Sequence, residues 1–211
     1  NPSPSSPVIF QSYGTGQATL SPGSTSLAGS TWCWISNSLS TFTVQNLNFT
    51  GPNQTTAVGG LFIYNTIQKD HHLPAFRLNN LTISNFGGNG IWIWGDDDGA
   101  GFDNFVIQNN TIHHCSGGGP ASAGIQINGN GFGLGWTNPS FTTCSITNNL
   151  VHDIGLVGTA FPTVSVHGIL IGQALNCNVT INDVSKTGLG NVDGGSGTTQ
   201  PNGIWTYDSI G

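Results

Sequence analysis

The sequence predicts an all-β solenoid of about five to six stacked coils with almost no helix. Three observations carry this. Residues that sustain long helices are scarce: there is no Glu and no Met, and Lys and Arg together number 3. Asn, Thr, Ser, Gly, Ile and Val, which favour strands and turns, dominate instead. A Gly followed by an alternating apolar strand recurs at intervals of roughly 30 to 44 residues. Between these, a second strand recurs with like residues at like positions.

The Gly-led strands are "GLFIYN" from Gly60, "GIWIWG" from Gly90, "GIQING" from Gly124, "GILIGQ" from Gly168 and "GIWTYD" from Gly203. Alternation places Leu61, Ile91, Ile125 and Ile169 inward, with Ile63, Ile93, Ile127 and Ile171. It turns outward Phe62, Trp92, Gln126, Leu170 and Trp205, and beside them Tyr64, Trp94, Asn128, Gly172 and Tyr207.

The second strands are "FTVQNLNF", "FRLNNLTI", "FVIQNNTI", "CSITNNLV" and "CNVTINDV". Aligned, they give one column of Phe42, Phe76, Phe105, Cys144 and Cys177, and another of Val44, Leu78, Ile107, Ile146 and Val179. A third column holds Phe49, Ile83, Ile112, Val151 and Val184. Between them run Asn46, Asn80, Asn109 and Asn148, interrupted by Ile181. Stacked coils lie about 4.8 Å apart. These amides are therefore expected to point inward and bond from coil to coil.

With its "NNxI" and "GI.I" coils and its asparagine column, the chain resembles right-handed parallel β-helix proteins of the pectate-lyase-like superfamily. The resemblance covers roughly residues 42 to 208, and "PVIFQSYGTGQATL" looks like an early coil. It implies a single-stranded right-handed parallel β-helix over 1–211. The N-terminal capping helix usual in such proteins is not legible here. The chain starts at Asn1 without a recognisable signal peptide, which predicts processing or excision from something longer.

Composition narrows the partners. Charged residues make up 6% of the chain, against about 25% in ordinary domains. Lys69, Arg77 and Lys186 are too few to line a nucleic-acid groove. No apolar run approaches the roughly 18 residues of a membrane span. Low charge and a Ser/Thr/Asn-rich surface point to an extracellular or cell-surface protein. Sequons begin at Asn48, Asn53, Asn80, Asn109 and Asn178, as a repeated "NxT" strand pattern would produce.

Three groups of residues are candidates for chemistry. Trp92, Trp94, Trp205 and Tyr207 form either a platform for sugar rings or a face covered by the 129–143 insert or by another chain. In "GDDDGAGFD", Asp96, Asp97, Asp98 and Asp103 offer an oxygen-rich turn. Asp96, Asp98 and Asp103 are candidate ligands for Ca²⁺, which pectate lyases use to neutralise a uronate. Asp96 and Asp97 are candidate glycosidase carboxylates. "GDD" with the later "VHG" at 166–168 looks like polygalacturonase motifs. However, the two lie two coils apart, with no Asn-Thr-Asp upstream and no Arg-x-Lys downstream.

The third group comes from stacking. His113 shares a column with Ser84, His152 and Ser185, and the next column reads Asn85, His114, Asp153 and Lys186. His114, Asp153 and Lys186 would form a row able to move a proton, or an ordinary turn column with one surface ion pair. Cys144 and Cys177 meet on adjacent coils, bonded or as free thiols, whereas Cys33 and Cys115 show no basis for pairing.

Two functions follow as expectations. One is a protein that binds or acts on polysaccharide, as a lyase or glycoside hydrolase if it is an enzyme; the shortage of basic residues favours a neutral glycan. The other is a fibre, sheath or adhesin subunit that stacks end to end on copies of itself.

Overall fold

The computed structural model describes residues 7–22, 31–39, 41–55, 58–67, 71–95, 99–115, 122–129, 139–155, 166–189 and 202–207. Every regular element among them is a strand, and every strand pairing is parallel. The chain visits four sheets in a repeating order, so each circuit is one coil of a solenoid. No helix among the described residues is long and apolar enough to cross a membrane.

The first sheet holds Val8–Gln11, Phe42–Gln45, Phe76–Asn79, Val106–Gln108, Ser145–Thr147 and Asn178–Thr180. The second holds Ala18–Leu20, Leu47–Thr50, Thr82–Ser84, Thr111–His113, Leu150–Gly155 and Asp183–Leu189. The third holds Thr31–Asn37, Val58–Asn65, Ile91–Gly95, Ser122–Gly129, Val166–Gly172 and Ile204–Tyr207. A short fourth sheet closes the circuit with His72–Leu73, Gly101–Asp103, Phe141–Thr142 and Ala174–Leu175. Six strands in each of the first three sheets give six successive coils.

The third-sheet register is the one that alternation predicts. Ile91 pairs with Leu61 and Ile125, and Ile93 with Ile63 and Ile127. All six are fully buried. Phe42, Phe76 and Phe105 form a parallel ring stack, with centroids 5.4 and 4.9 Å apart. Cys144 and Cys177 continue that column on the last two coils and are disulfide-bonded, with Cα atoms 4.4 Å apart. Cys33 and Cys115 are free thiols.

The asparagine column differs from expectation. Asn46, Asn80, Asn109 and Asn148 do not point inward: they sit at the corner between first and second sheets, outside the core, with φ of 55, 52, 57 and 53°. A left-handed corner residue reverses the alternation, so the residue after it faces the core. The inner ladder is therefore one position on, at Asn110 and Asn149, which are buried, and Asn182, which is half-buried. Asn110 Nδ2 donates to Asn149 Oδ1 at 2.9 Å, and Asn149 Nδ2 donates to Asn182 Oδ1 at 2.9 Å. The same amides also bond the backbone carbonyls of Leu78, Ile107 and Ile146. The corner asparagines make a second, outer ladder: Asn80 donates to Asn46, and Asn148 to Asn109, each at 2.8 Å.

The Gly leading the third-sheet strands of the second to fifth coils is a matter of space. A Cβ on Gly60 would lie 2.3 Å from the carbonyl oxygen of Gly90, and one on Gly90 would lie 2.7 Å from that of Gly124. Gly124 and Gly168 are hemmed in likewise by Gly168 and Gly203. At these four positions the backbone of one coil lies against the next, leaving no room for a side chain; Gly203 on the last coil has space, with Val184 3.8 Å away.

Replacing Asn149 by Leu strands the amide of Asn110 and the carbonyl of Ile107. It is expected to cost about 2–4 kcal/mol, against about 1 kcal/mol for Asn109→Leu, where a corner conformation and two exposed amide bonds, to Asn79 and Asn148, are lost. Urea midpoints of the two variants check this; equal losses would contradict the inner ladder. Ile181 occupies the same left-handed corner, with φ 57°, and is 81% exposed. A β-branched residue is poorly suited to that conformation. Ile181→Asn is expected to stabilise by about 1 kcal/mol, read as a higher melting midpoint.

Candidate functional site

Two outer faces of the solenoid gather side chains with chemical potential. On the third sheet, Phe62, Tyr64, Trp92 and Trp94 project outward from adjacent coils and are half-buried. Their rings pack on one another. Phe62 lies 4.6 Å from Tyr64 and 5.0 Å from Trp92, and Trp92 stacks on Trp94 at 5.3 Å. Trp32, which alternation did not bring into this group, stacks on Phe62 at 4.9 Å. It fits because its register partner is Gly59: a Cβ there would lie 2.1 Å from the indole. Offset stacking of this kind stabilises aromatic pairs by about 0.5–1.5 kcal/mol.

The neighbouring coils are polar. Trp92 Nε1 donates to Asn128 Oδ1 at 2.6 Å, and Gln126 Nε2 donates to the same oxygen at 3.1 Å. Asn89 Nδ2 in turn donates to Gln126 Oε1 at 2.8 Å. Gln126 and Leu170 face outward yet are buried, so the aromatic column is interrupted at the fourth and fifth coils. It resumes with Trp205, which is 38% exposed, and Tyr207, whose ring lies over Gly172. Trp92 and Trp205 are three coils apart, roughly 14 Å along the axis. All four sugar-platform candidates therefore stand on one sheet, in two groups. The insert at 130–138 lies outside the described residues.

The second outer face carries the histidines. His113 pairs in register with Ser84 and His152, and His152 with Ser185, as the columns predict. The imidazoles of His113 and His152 stack at 5.2 Å, 6° from parallel. His113 Nδ1 lies 2.7 Å from His114 Nδ1, so one of them donates. His152 Nδ1 lies 2.6 Å from Asp153 Oδ2, and Lys186 Nζ lies 3.4 Å from Asp153 Oδ1. His114, Asp153 and Lys186 thus share the predicted row. His152, rather than His114, is the imidazole bonded to the carboxylate, a link within one strand that column stacking does not show. His114, Asp153 and Lys186 all hold left-handed corner positions, at φ 53, 53 and 49°.

A turn from the second coil flanks this row. Gln54 Nε2 donates to the carbonyl of Gly155 at 3.4 Å, carrying the 52–55 turn along the axis to the fifth coil. Asp153 is held below the usual carboxylate range, chiefly by the hydrogen bond from His152 and then by Lys186. His113 is pushed below the usual imidazole range by burial and by His114 and His152, against an opposing pull from Asp153.

The acidic turn is only partly described. Asp96, Asp97 and Asp98 lie outside the described residues. Asp103 Oδ1 accepts from His72 Nδ1 at 2.7 Å and also from the Thr142 hydroxyl. No group of three or more His, Cys, Asp or Glu with metal-holding geometry occurs among the described residues. The described part of the turn by itself does not fit a calcium cage, which needs six or more oxygens.

His167 has a partner that spacing did not reveal. It is fully buried at the start of its third-sheet strand, 4.8 Å from Trp205. Its Nδ1 accepts the backbone N–H of Asn202 at 3.1 Å, joining the fifth coil to the sixth. Burial pushes its pKa down to about 4.

Neither protein-family models, curated proteins nor solved structures match the chain.

The histidines set an acid sensitivity. A depressed imidazole pKa means that the unfolded chain binds the proton more tightly. Stability from His113 and His167 is complete above their unfolded value of about 6.5 and falls as pH drops through it. For His167 the loss extends down to about pH 4 and amounts to roughly 2–4 kcal/mol. Asp153 adds a loss in the same direction below its ordinary value of 3.8. Unfolding midpoints between about pH 7 and pH 4 are expected to fall steadily, and His167→Asn is expected to remove most of that slope. An unchanged slope in the variant would contradict it.

Proposed function

We propose that this chain is an extracellular solenoid that binds polysaccharide along its third sheet. The observation that carries the reading is the outward aromatic group of Trp32, Phe62, Tyr64, Trp92 and Trp94, continued by Trp205 and Tyr207. Aromatic surface held at the periphery by a rigid sheet, with amide groups from Gln126 and Asn128 beside it, suits sugar rings that present both C–H faces and hydroxyls. The array runs along the solenoid axis, as an extended glycan would. The Cys144–Cys177 disulfide supports an oxidising compartment.

The reading includes a right-handed coil, the hand of about 98% of crossovers between parallel strands, and a scaffold of the pectate-lyase-like kind. Hydrolase or lyase chemistry would reside on the second sheet, where Asp153 fixes the His152 ring and Lys186 supplies a positive charge. Calcium at the acidic turn would require the carboxylates of Asp96 and Asp98 beside Asp103. A structural subunit packing laterally through the same rings is the second reading, favoured by the exposure of Trp205.

A Trp92→Ala, Trp94→Ala double variant separates these. Loss of retention on insoluble neutral polysaccharide, with an unchanged circular dichroism spectrum, is the expected result. Intact retention with loss of polymers by negative-stain microscopy would favour the structural reading instead.

A further inference from the structure

Neither the aromatic group nor the ion pairs make use of the five sequons, and the structure separates them. Those at Asn48, Asn53, Asn80, Asn109 and Asn178 all read Asn-x-Thr, the acceptor pattern for an N-linked glycan. A glycan is bulky and strongly solvated, so a folded domain carries one where the amide nitrogen faces water with room around it.

Four of the sequons belong to the coil lattice. Asn48 lies within a second-sheet strand, in register with Thr19 and Thr82 on the coils to either side, and its Oδ1 is buried. Side chains about 4.8 Å away on both sides leave no space for a sugar ring. At the corners, Asn80 Nδ2 donates to Asn46 Oδ1 and Asn109 Nδ2 donates to Asn79 Oδ1, each at 2.8 Å. The nitrogen that would carry the glycan is there a rung of the outer ladder. Asn178 is exposed, but it lies in the extended strand Asn178–Thr180, where residues two apart are separated by roughly 7 Å. The Thr180 hydroxyl lies instead 3.3 Å from that of Thr147 on the previous coil.

Asn53 differs in each respect. The 52–55 turn leaves the lattice between the strands Leu47–Thr50 and Val58–Asn65, and Asn53 and Thr55 are both exposed. Thr55 donates twice to Asn53 Oδ1, from its backbone N–H at 2.9 Å and from its hydroxyl at 2.8 Å. This Asx-turn presents the Asn and Thr of the sequon together as one compact unit. The residue between them anchors the turn, through the bond from Gln54 Nε2 to the carbonyl of Gly155.

We propose that Asn53 is a glycosylation site, its Nδ2 taking an N-linked oligosaccharide as the chain is exported. In that step Nδ2 forms a bond to the anomeric carbon of a glycan borne on a polyprenyl diphosphate. The bond from that carbon to the diphosphate oxygen breaks, the diphosphate leaves with the electron pair, and the amide gives up one proton to a base of the transferase. Transfer to a nascent chain precedes folding, so the coil lattice acts as a filter afterwards. A glycan at Asn53 is carried by the finished fold, whereas one at Asn48 obstructs second-sheet pairing. The site rests on the reading of the chain as extracellular, which the Cys144–Cys177 disulfide supports, and not on what the third sheet binds.

The test is peptide mapping by mass spectrometry of the whole chain, exported by a eukaryotic host behind a cleaved leader. Glycans are released by an amidase that turns each occupied Asn into Asp, and chain from the medium and from the secretory lumen is mapped alike. Asn53 is expected to be occupied in most folded molecules and Asn48 in none. Asn53→Gln and Thr55→Ala are each expected to remove that glycan, and Thr55→Ser to keep it, all with an unchanged circular dichroism spectrum. Folded chain that is bare at Asn53, or that carries its glycan at Asn48 or at Asn178 instead, would overturn the assignment. Retention of the deglycosylated chain on neutral polysaccharide is measured separately. Its loss with Asn53 occupied would remove the third-sheet reading and leave this site standing; retention with Asn53 bare would do the reverse.

Discussion

Every coil must present the next with the same backbone hydrogen bonds at the same height, and most of the residue pattern follows from that constraint. Parallel strands offer evenly spaced donors and acceptors, so a coil that gains or loses a residue within a sheet would lose its register with both neighbours. Extra length is accommodated at the corners, apart from one register shift in the second sheet, where Ile154 pairs with Thr187 and Gly155 with Leu189. Left-handed residues stand there in coil after coil, at Asn80, Asn109 and Asn148 on one edge and at Asn85, His114 and Asp153 on another. Asn, Asp and His tolerate that conformation better than other side chains. Corner geometry thus selects residue types that also carry chemistry, and the histidine row is in part a consequence of how the chain turns.

The same register makes like side chains stack, and the type of side chain decides what the stack contributes. Phenylalanines at Phe42, Phe76 and Phe105 give ring packing; the cysteines above them give a covalent link between the fifth and sixth coils. Bonding residues 144 and 177 closes a loop long enough to stabilise by about 4 kcal/mol in the chain-entropy picture. Buried amides would be costly alone, but Asn110, Asn149 and Asn182 satisfy one another and the carbonyls of the preceding coil. Polar and apolar columns can therefore coexist in one narrow core.

The architecture was legible because stacking writes it into the sequence more than once. Ile91 and Ile93, with their partners on either side, could be placed inward from alternation alone, and the structure agrees. The asparagine register was also encoded, though less openly. Inward residues run Phe42 and Val44, then Leu47 and Phe49, so the parity changes between Val44 and Leu47. Only a turned residue at Asn46 can change it. The interior amides had to be the residues after that turn. Contacts within one strand were harder to see. The His152–Asp153 bond joins consecutive residues, and Trp32 enters the aromatic group through Gly59, an empty position rather than a side chain. Column reading compares residues between coils and is blind to both.

The two outer faces answer to different physics. The third sheet meets its surroundings through aromatic area, whose attraction depends little on pH or salt. The second meets them through imidazoles, a carboxylate and an ammonium group, whose attractions are screened by salt. The chain's few permanent cations sharpen that contrast, because Lys186 is one of only 3 Lys and Arg residues. Rigid coils keep the faces apart, since neither can shift without breaking the ladders between them. Ring packing on the third sheet and polar columns on the second are thereby held in fixed register along one axis.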